Sequence, residues 1–272
     1  MSQMKFGCQT YSWQMSYDTY AGNLPHIMQI MHHAGFTGIE AEVCMMGRWH
    51  EDPDAFSALL EENQLQYAAL ALPLDWRHAK ETSEEYAQAQ QAIAFLKHFP
   101  GTILLLCHLP GQDRADLSER QANQVACLSA ITARAKDAGI VTAFHPNSSF
   151  GSAFRTAEDY AYLLDMLEKH GIGYCPDAGH IAHGGMDPVQ VIREAMPLIR
   201  HVHFKDMDEN GIWRSMGCGK INFPAIVSEL SAADYSGWIM VEEESADAVT
   251  DPDGVTCHNG QYFQNMLLPC SK

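Results

Sequence analysis

A β-like run followed by a helical stretch recurs eight times along this chain, and that rhythm limits what it can fold into. The runs are KFGCQTYSW (5–13), GIEAEV (38–43), LQYAALAL (65–72), TILLLCH (102–108), IVTAFHP (140–146), IGYCPDAGH (172–180), IRHVHFKD (199–206) and GWIMVEEE (237–244). Helical patterns such as LPHIMQIMHHAG, YAQAQQAIAFLKHF, ERQANQVACLSAITARAKDAG and AEDYAYLLDMLEKHG lie between them, and several end in glycine, a common C-cap. The mean spacing of roughly 34 residues is that of a βα unit. Strands separated by helices pair in parallel. Eight such units predict a closed (β/α)8 TIM barrel, one domain over residues 1–272. A doubly wound open sheet is the rival, but no G-x-G-x-x-G follows the first run and no P-loop occurs. No linker, low-complexity tract or charge block divides the chain.

A barrel carries its chemistry at the C-terminal ends of its strands. Side chains alternate along a strand, so each run has an inward and an outward set. In IRHVHFKD, Val202 and Phe204 are the apolar outward pair, which turns His201, His203 and Lys205 inward. In the fifth run His145 ends the inward set, in the sixth Asp177 does, and in the eighth Glu242 follows Trp238 and Met240. Four consecutive strands therefore end on one side with His145, Asp177, His203 and Glu242. Two imidazoles and two carboxylates there suit one divalent ion, manganese, cobalt, iron, zinc or magnesium, with positions left open for substrate. Two inward carboxylates without a cation would repel each other and be poorly solvated.

Around this set stand further candidates. His180, three residues past Asp177, is placed to act as an acid or base, and Lys205 to act as the acid, bind a substrate oxygen or pair with a glutamate. Glu242 is a second candidate base. His108, Glu40, Trp76 and Asn147 are expected to contact substrate, with Trp13, Trp49 and Trp76 as candidates for an apolar wall against a sugar ring. His201, one layer deeper, reads as a core histidine. The GCGK segment (217–220) reads as a tight turn entering a helix rather than a phosphate loop.

The formal net charge of −17 speaks against a nucleic-acid partner, because phosphate binding needs a basic footprint. No apolar run approaches the ~18 residues of a membrane span, and no signal segment is legible at the start. None of the eight cysteines forms a C-x-x-C pair, and several sit in apolar strand-like runs, as thiols do in a reducing compartment. A cytoplasmic protein acting on a small molecule is expected, with self-association left open.

The segments PDAGHIAHGGMDP, IRHVHFKD, GCGKINFPAIVSEL and SGWIMVEEES resemble the xylose-isomerase-like sugar isomerase/epimerase superfamily, and within it the inosose (2-keto-myo-inositol) dehydratases. AGFTGIEAEV (34–43) is similar to the superfamily without selecting a member. The resemblance implies a divalent metal held by Glu, Asp, His and Glu at the ends of strands five to eight. Asp177, His203 and Glu242 match the last three positions. His145 stands where the first glutamate is usual, which puts a two-glutamate proton shuttle in doubt and tilts the expectation toward a lyase. An HxH pattern of the dehydratases is matched by His145, with Asn147 in place of its second histidine. The implied activity is dehydration of a keto-sugar or keto-cyclitol through an enediolate. Isomerisation or epimerisation on the same site is the alternative, and an apurinic endonuclease-like or non-catalytic barrel stands further off.

Overall fold

The structure is a computed structural model and describes residues 4–271. Its strands are β1 (Lys5–Gln9), β2 (Gly38–Glu42), β3 (Gln66–Leu74), β4 (Ile103–His108), β5 (Thr142–His145), β6 (Gly173–Tyr174), β7 (Val202–Phe204), β8 (Asp206–Met207), β9 (Trp213–Arg214) and β10 (Trp238–Val241). Eight of them form one sheet, in the order β6-β5-β4-β3-β2-β1-β10-β7, and every pairing in it is parallel. Parallel bridges from Tyr174 to Ile199 and from Asp177 to His203 join its two edges, so the sheet closes on itself. β8 and β9 make a separate antiparallel hairpin.

Each barrel strand is followed by a helix of the outer ring: Leu24–His33, Pro53–Glu62, Ser83–Leu96, Leu117–Asp137, Ala157–His170, Pro188–Ala195, Phe223–Ala232 and Pro252–Tyr262. The sequence states where several begin. Asp52, Asp187 and Asp251 each cap a helix whose next residue is proline. Their carboxylates accept an otherwise orphaned backbone N–H, and proline at the first helical position has no N–H to waste. Thr82 with Glu85, and Thr156 with Asp159, form capping boxes. Among the described residues no helix is long and apolar enough to cross a membrane.

The barrel interior is filled rather than open. Ala69, Ala71, Leu105, Ala143 and Cys175 pack together inside, with Trp238 and Met240 across from them. Those two large side chains need empty space on the neighbouring strands β1 and β2. A Cβ on Gly7 would lie 2.5 Å from Met240, and one on Gly38 would lie 2.3 Å from Trp238. The outward faces meet the helices, as Phe204 meets Phe223 at 4.8 Å between ring centroids. All eight cysteines are free thiols.

Most strands are shorter than their β-like runs, and two of them stop early for a visible reason. The run 5–13 stops at Gln9, because after the ladder bond from the Thr10 N–H to the Glu40 carbonyl (3.0 Å) the chain turns into a helix, Tyr11–Gln14. The buried Trp13 indole donates to Asp253 at 2.7 Å and ties this turn to the last helix. The run 172–180 yields only Gly173–Tyr174 as regular strand, since Asp177 caps a helix, Ala178–His183, instead of continuing it.

Candidate metal centre

His145 ends β5, Asp177 follows β6, His203 lies within β7 and Glu242 follows β10. Parallel pairing sets their heights: His203 is level with Met240 and bridges to Asp177. Each offers a nitrogen or oxygen to a common point, and those four atoms lie within 4.8 Å of one another. His145 Nε2 faces Asp177 Oδ2 at 3.5 Å and Glu242 Oε2 at 3.8 Å, and His203 Nδ1 meets Glu242 Oε2 at 2.6 Å. All four residues are buried.

Two atoms in this group have no hydrogen-bond partner, His145 Nε2 and Asp177 Oδ2. Buried polar atoms are normally satisfied, and an exception asks for a reason. Here both orphans point into the space between the four side chains. The other Asp177 oxygen is accounted for, since it accepts the His180 N–H at 2.8 Å. Mixed imidazole and carboxylate donors around a shared gap fit a divalent cation.

One layer above, Lys205 is almost fully buried. Its Nζ donates to Glu242 Oε1 (2.9 Å) and to Glu244, lies 3.0 Å from His180 Nε2 and 3.6 Å from Asp177 Oδ2. Burial works against charge on all of these groups, but they correct one another. Glu242, Glu244 and Asp177 hold the Lys205 ammonium well above its ordinary value. Lys205 and His180 hold the Asp177 carboxyl well below the usual range, and Lys205 with His203 does the same for Glu242. Burial and the Lys205 charge push His180 well below an ordinary histidine, so its ring is neutral. His180 Nδ1 lies 2.8 Å from Ser148 Oγ, which lies 2.8 Å from His183 Nδ1.

Above the cluster opens a cavity of about 330 Å³. His108 and Asn147 stand on one wall. Burial, with His145 and Arg120 nearby, lowers His108 to about 3, so it is a neutral ring with both nitrogens unpartnered. Asn147 is held by its Nδ2 bond to the His108 carbonyl at 2.8 Å. Gln9, Gln14 and Glu42 line the opposite side, where the Gln14 amide donates to Glu42 at 2.8 Å. Burial lifts the Glu42 carboxyl to about 6. Trp213 closes the rim from the β8–β9 hairpin, its ring 5.5 Å from His180 and 5.2 Å from His183.

Three expected substrate contacts are placed elsewhere. Trp76 is fully buried and does not line the cavity; its backbone N–H donates to Glu85 at 2.6 Å. Trp13 is buried toward Asp253, and Trp49 stacks with Arg48 at 4.4 Å away from the cavity lining. Glu40 sits at the cavity floor with no exposed surface, one layer below Glu42, and its carboxylate is taken up by His201 (2.7 Å) and His203 (3.0 Å). His201 is the core histidine that its depth implies. The GCGK segment wraps round a carboxylate: the N–H groups of Gly217 and Gly219 each donate to Asp206 at 2.9 Å, so its donors are already used.

Sequence reading missed Gln9, Gln14, Ser148, His183 and Trp213. The spacing of His180 and His183, three apart on one helix, was a usable signal that both share a face. Trp213 gave none, because its position depends on the hairpin that folds back over the mouth.

A barrel of parallel strands with a buried histidine–carboxylate set at its C-terminal mouth defines the TIM-barrel class, with a donor set that could hold a metal ion. Residues 28–262 match the xylose isomerase-like TIM barrel family, and the chain belongs to it. Among curated relatives, inosose dehydratase 1 of Bacillus cereus is 26% identical over 136 residues, 43% of this chain and 45% of that protein. The match therefore spans less than half the length of that relative. An inosose dehydratase of Clostridium botulinum is 22% identical over 265 residues, covering 85% of each chain. Among solved structures, the probable 3-DHS dehydratase AsbF of Bacillus anthracis aligns with a TM-score of 0.76 at 17% identity, over 97% of this chain and 100% of the other. The IolI protein with a binding zinc atom aligns with a TM-score of 0.77 at 14% identity, over 99% of each.

Proposed function

We propose that this chain is a divalent-metal-dependent carbohydrate lyase that removes water from a neutral keto-cyclitol or keto-sugar. The observation that carries the reading is the pair of orphaned atoms, His145 Nε2 and Asp177 Oδ2, facing each other inside a four-residue donor set. The names of the relatives support the substrate class, and the zinc in the IolI neighbour supports a metal on this scaffold.

His145, Asp177, His203 and Glu242 would hold the ion. When bound, such an ion polarises the substrate ketone and offsets the charge of its enediolate, worth several kcal/mol. The remaining work falls to the chain. Glu242 is a poor base, because its two oxygens are engaged by Lys205 and His203. His180 is the better candidate by charge state: its ring is neutral, and its Nε2, which accepts from Lys205 at 3.0 Å, must exchange that bond for the substrate proton. It takes the proton from the carbon next to the ketone. It then returns that proton to the hydroxyl leaving the β-carbon, so the C–O bond breaks and one water departs. Lys205 serves as the fixed positive charge that keeps Glu242, Glu244 and Asp177 ionised beside it.

Charge selects the substrate class. Among the described residues lining the cavity, four are glutamates (Glu40, Glu42, Glu242 and Glu244) and none is lysine or arginine. Such a wall suits hydroxyls and repels phosphates and carboxylates. His108, Asn147, Gln9, Gln14 and Glu42 supply the donors and acceptors that read ring hydroxyls.

The test is incubation of the manganese-loaded protein with 2-keto-myo-inositol and with free ketoses, followed by mass analysis. A product lighter by one water supports the lyase. A product of unchanged mass and altered configuration moves the assignment to isomerase or epimerase, and unaltered substrates throughout overturn the substrate class.

A further inference from the structure

Glu40 lies at the cavity floor, and among the described residues its bonded partners are histidines rather than an ammonium. It follows a register shift in β2 between Ile39 and Glu40, and its side chain crosses the barrel to β7. A single oxygen, Oε2, receives both His201 Nε2 at 2.7 Å and His203 Nε2 at 3.0 Å. Glu40 and His201 have no solvent exposure and His203 only 1%. An ionised carboxylate only accepts, so each ring presents an N–H to it. His203 Nδ1 also meets a carboxylate, Glu242 Oε2 at 2.6 Å. Without an ion both nitrogens therefore carry a hydrogen, and it is the Nδ1 hydrogen that an ion between Asp177 and Glu242 would displace. With Nε2 carrying the hydrogen toward Glu40, Nδ1 is the nitrogen turned toward His145, Asp177 and Glu242.

We propose that Glu40 is a positioning residue for the metal centre: it fixes the tautomer and plane of His203 so that Nδ1 is the ligating atom, and His201 holds Glu40 in place for that task. This rests on the metal reading above. A ligand histidine whose second nitrogen donates to a carboxylate is oriented before the ion arrives, and it is a stronger donor for it. The doubled hydrogen bond also explains the histidine pair in His201-Val202-His203: the deeper ring braces the carboxylate that braces the shallower one.

The test uses zinc alone as the probe. In the zinc-loaded wild type, nitrogen-15 NMR of the imidazole rings is expected to show His203 with its hydrogen on Nε2 and its metal shift on Nδ1. The opposite assignment overturns the proposal without any variant. Glu40→Gln, nearly isosteric, is expected to bind one zinc per chain about 10- to 100-fold more weakly in competition with a chromophoric chelator. Its His203 Nε2–H resonance is expected to lose protection from solvent exchange. Equal affinity in a folded Glu40→Gln protein overturns the positioning role while leaving the metal site standing. A wild type that binds no zinc, manganese or cobalt overturns the metal reading, and this proposal with it.

Discussion

The ammonium of Lys205 lies 3.0 Å from His180 Nε2, a contact in which the ring nitrogen can only accept. The rest of the ring follows. His180 Nδ1 carries the hydrogen and gives it to Ser148 Oγ, and the serine hydroxyl is left to donate to His183 Nδ1. A buried cation thus decides the tautomer of a histidine, and a serine holds it there.

Ser148→Ala removes the acceptor for the His180 N–H. Stability should fall by only about 0.5–1.5 kcal/mol, the net worth of an ordinary hydrogen bond. Turnover should fall more, by about 10-fold or above, with KM little altered, because the base loses its fixed orientation. Steady-state kinetics beside urea unfolding separates the two effects. Unchanged turnover would take His180 out of the proton-transfer step.

Lys205→Met leaves Glu242, Glu244 and Asp177 facing one another without their cation. Breaking a buried ion pair by deleting one partner typically costs about 3–5 kcal/mol. That loss should appear in chelator-treated protein, and added manganese should recover part of it, since the ion supplies positive charge to two of the same carboxylates. Thermal unfolding with and without manganese reads both. A variant as stable as wild type in chelator would show that the carboxylates take up protons instead.

Metal binding should stabilise the wild type in proportion to occupancy. At an ion concentration 100-fold above Kd the gain is about 2.7 kcal/mol, provided the unfolded chain does not bind. His145→Ala and Asp177→Asn each remove one orphaned donor, and both should reduce the gain and the metal content per chain, measured by calorimetry and elemental analysis. A full gain in both variants would place the ion elsewhere.

The strand ends were legible in sequence for a physical reason. Alternation has period two, and an apolar pair such as Val202 and Phe204 fixes which way His201 and His203 must face. The same rule orders His145, Asp177 and Glu242, because the pattern and the barrel closure agree. It does not reach side chains beyond the strands. Tyr11 and Gln14 stand on a helix where β-like composition continues, and the Trp13 indole, buried against Asp253, is what bends the chain there. Trp76 looked like a sugar-stacking residue because it follows a strand end. Its positive φ of 47° and its backbone bond to Glu85 turn it into the core instead. Glu40 and Glu42 share one face of β2 and were indistinguishable by pattern. Only depth in the barrel separates them, and depth is set by how neighbouring strands are staggered.

Two groups in the cavity wall pull stability in opposite directions with pH. Burial lifts Glu42 to about 6 from an ordinary 4.5, so the folded protein keeps that proton longer than the unfolded chain does. Its contribution is complete below about pH 4.5 and is lost as pH rises through 6. The loss is at most about 2 kcal/mol, and less where solvent reaches the carboxyl. Burial lowers His108 to about 3 from an ordinary 6.5, so the unfolded chain takes up that proton first. Its contribution is complete above pH 6.5 and is lost as pH falls toward 3, on the order of 5 kcal/mol at full extent. Urea unfolding between pH 4 and 8 should therefore show stability falling toward acid through His108 and, more weakly, toward neutral pH through Glu42. His108→Gln should flatten the acid side and leave the other slope, and Glu42→Gln should do the reverse. If neither substitution alters its own slope, burial does not govern these two groups, and the cavity wall is wetter than its geometry implies.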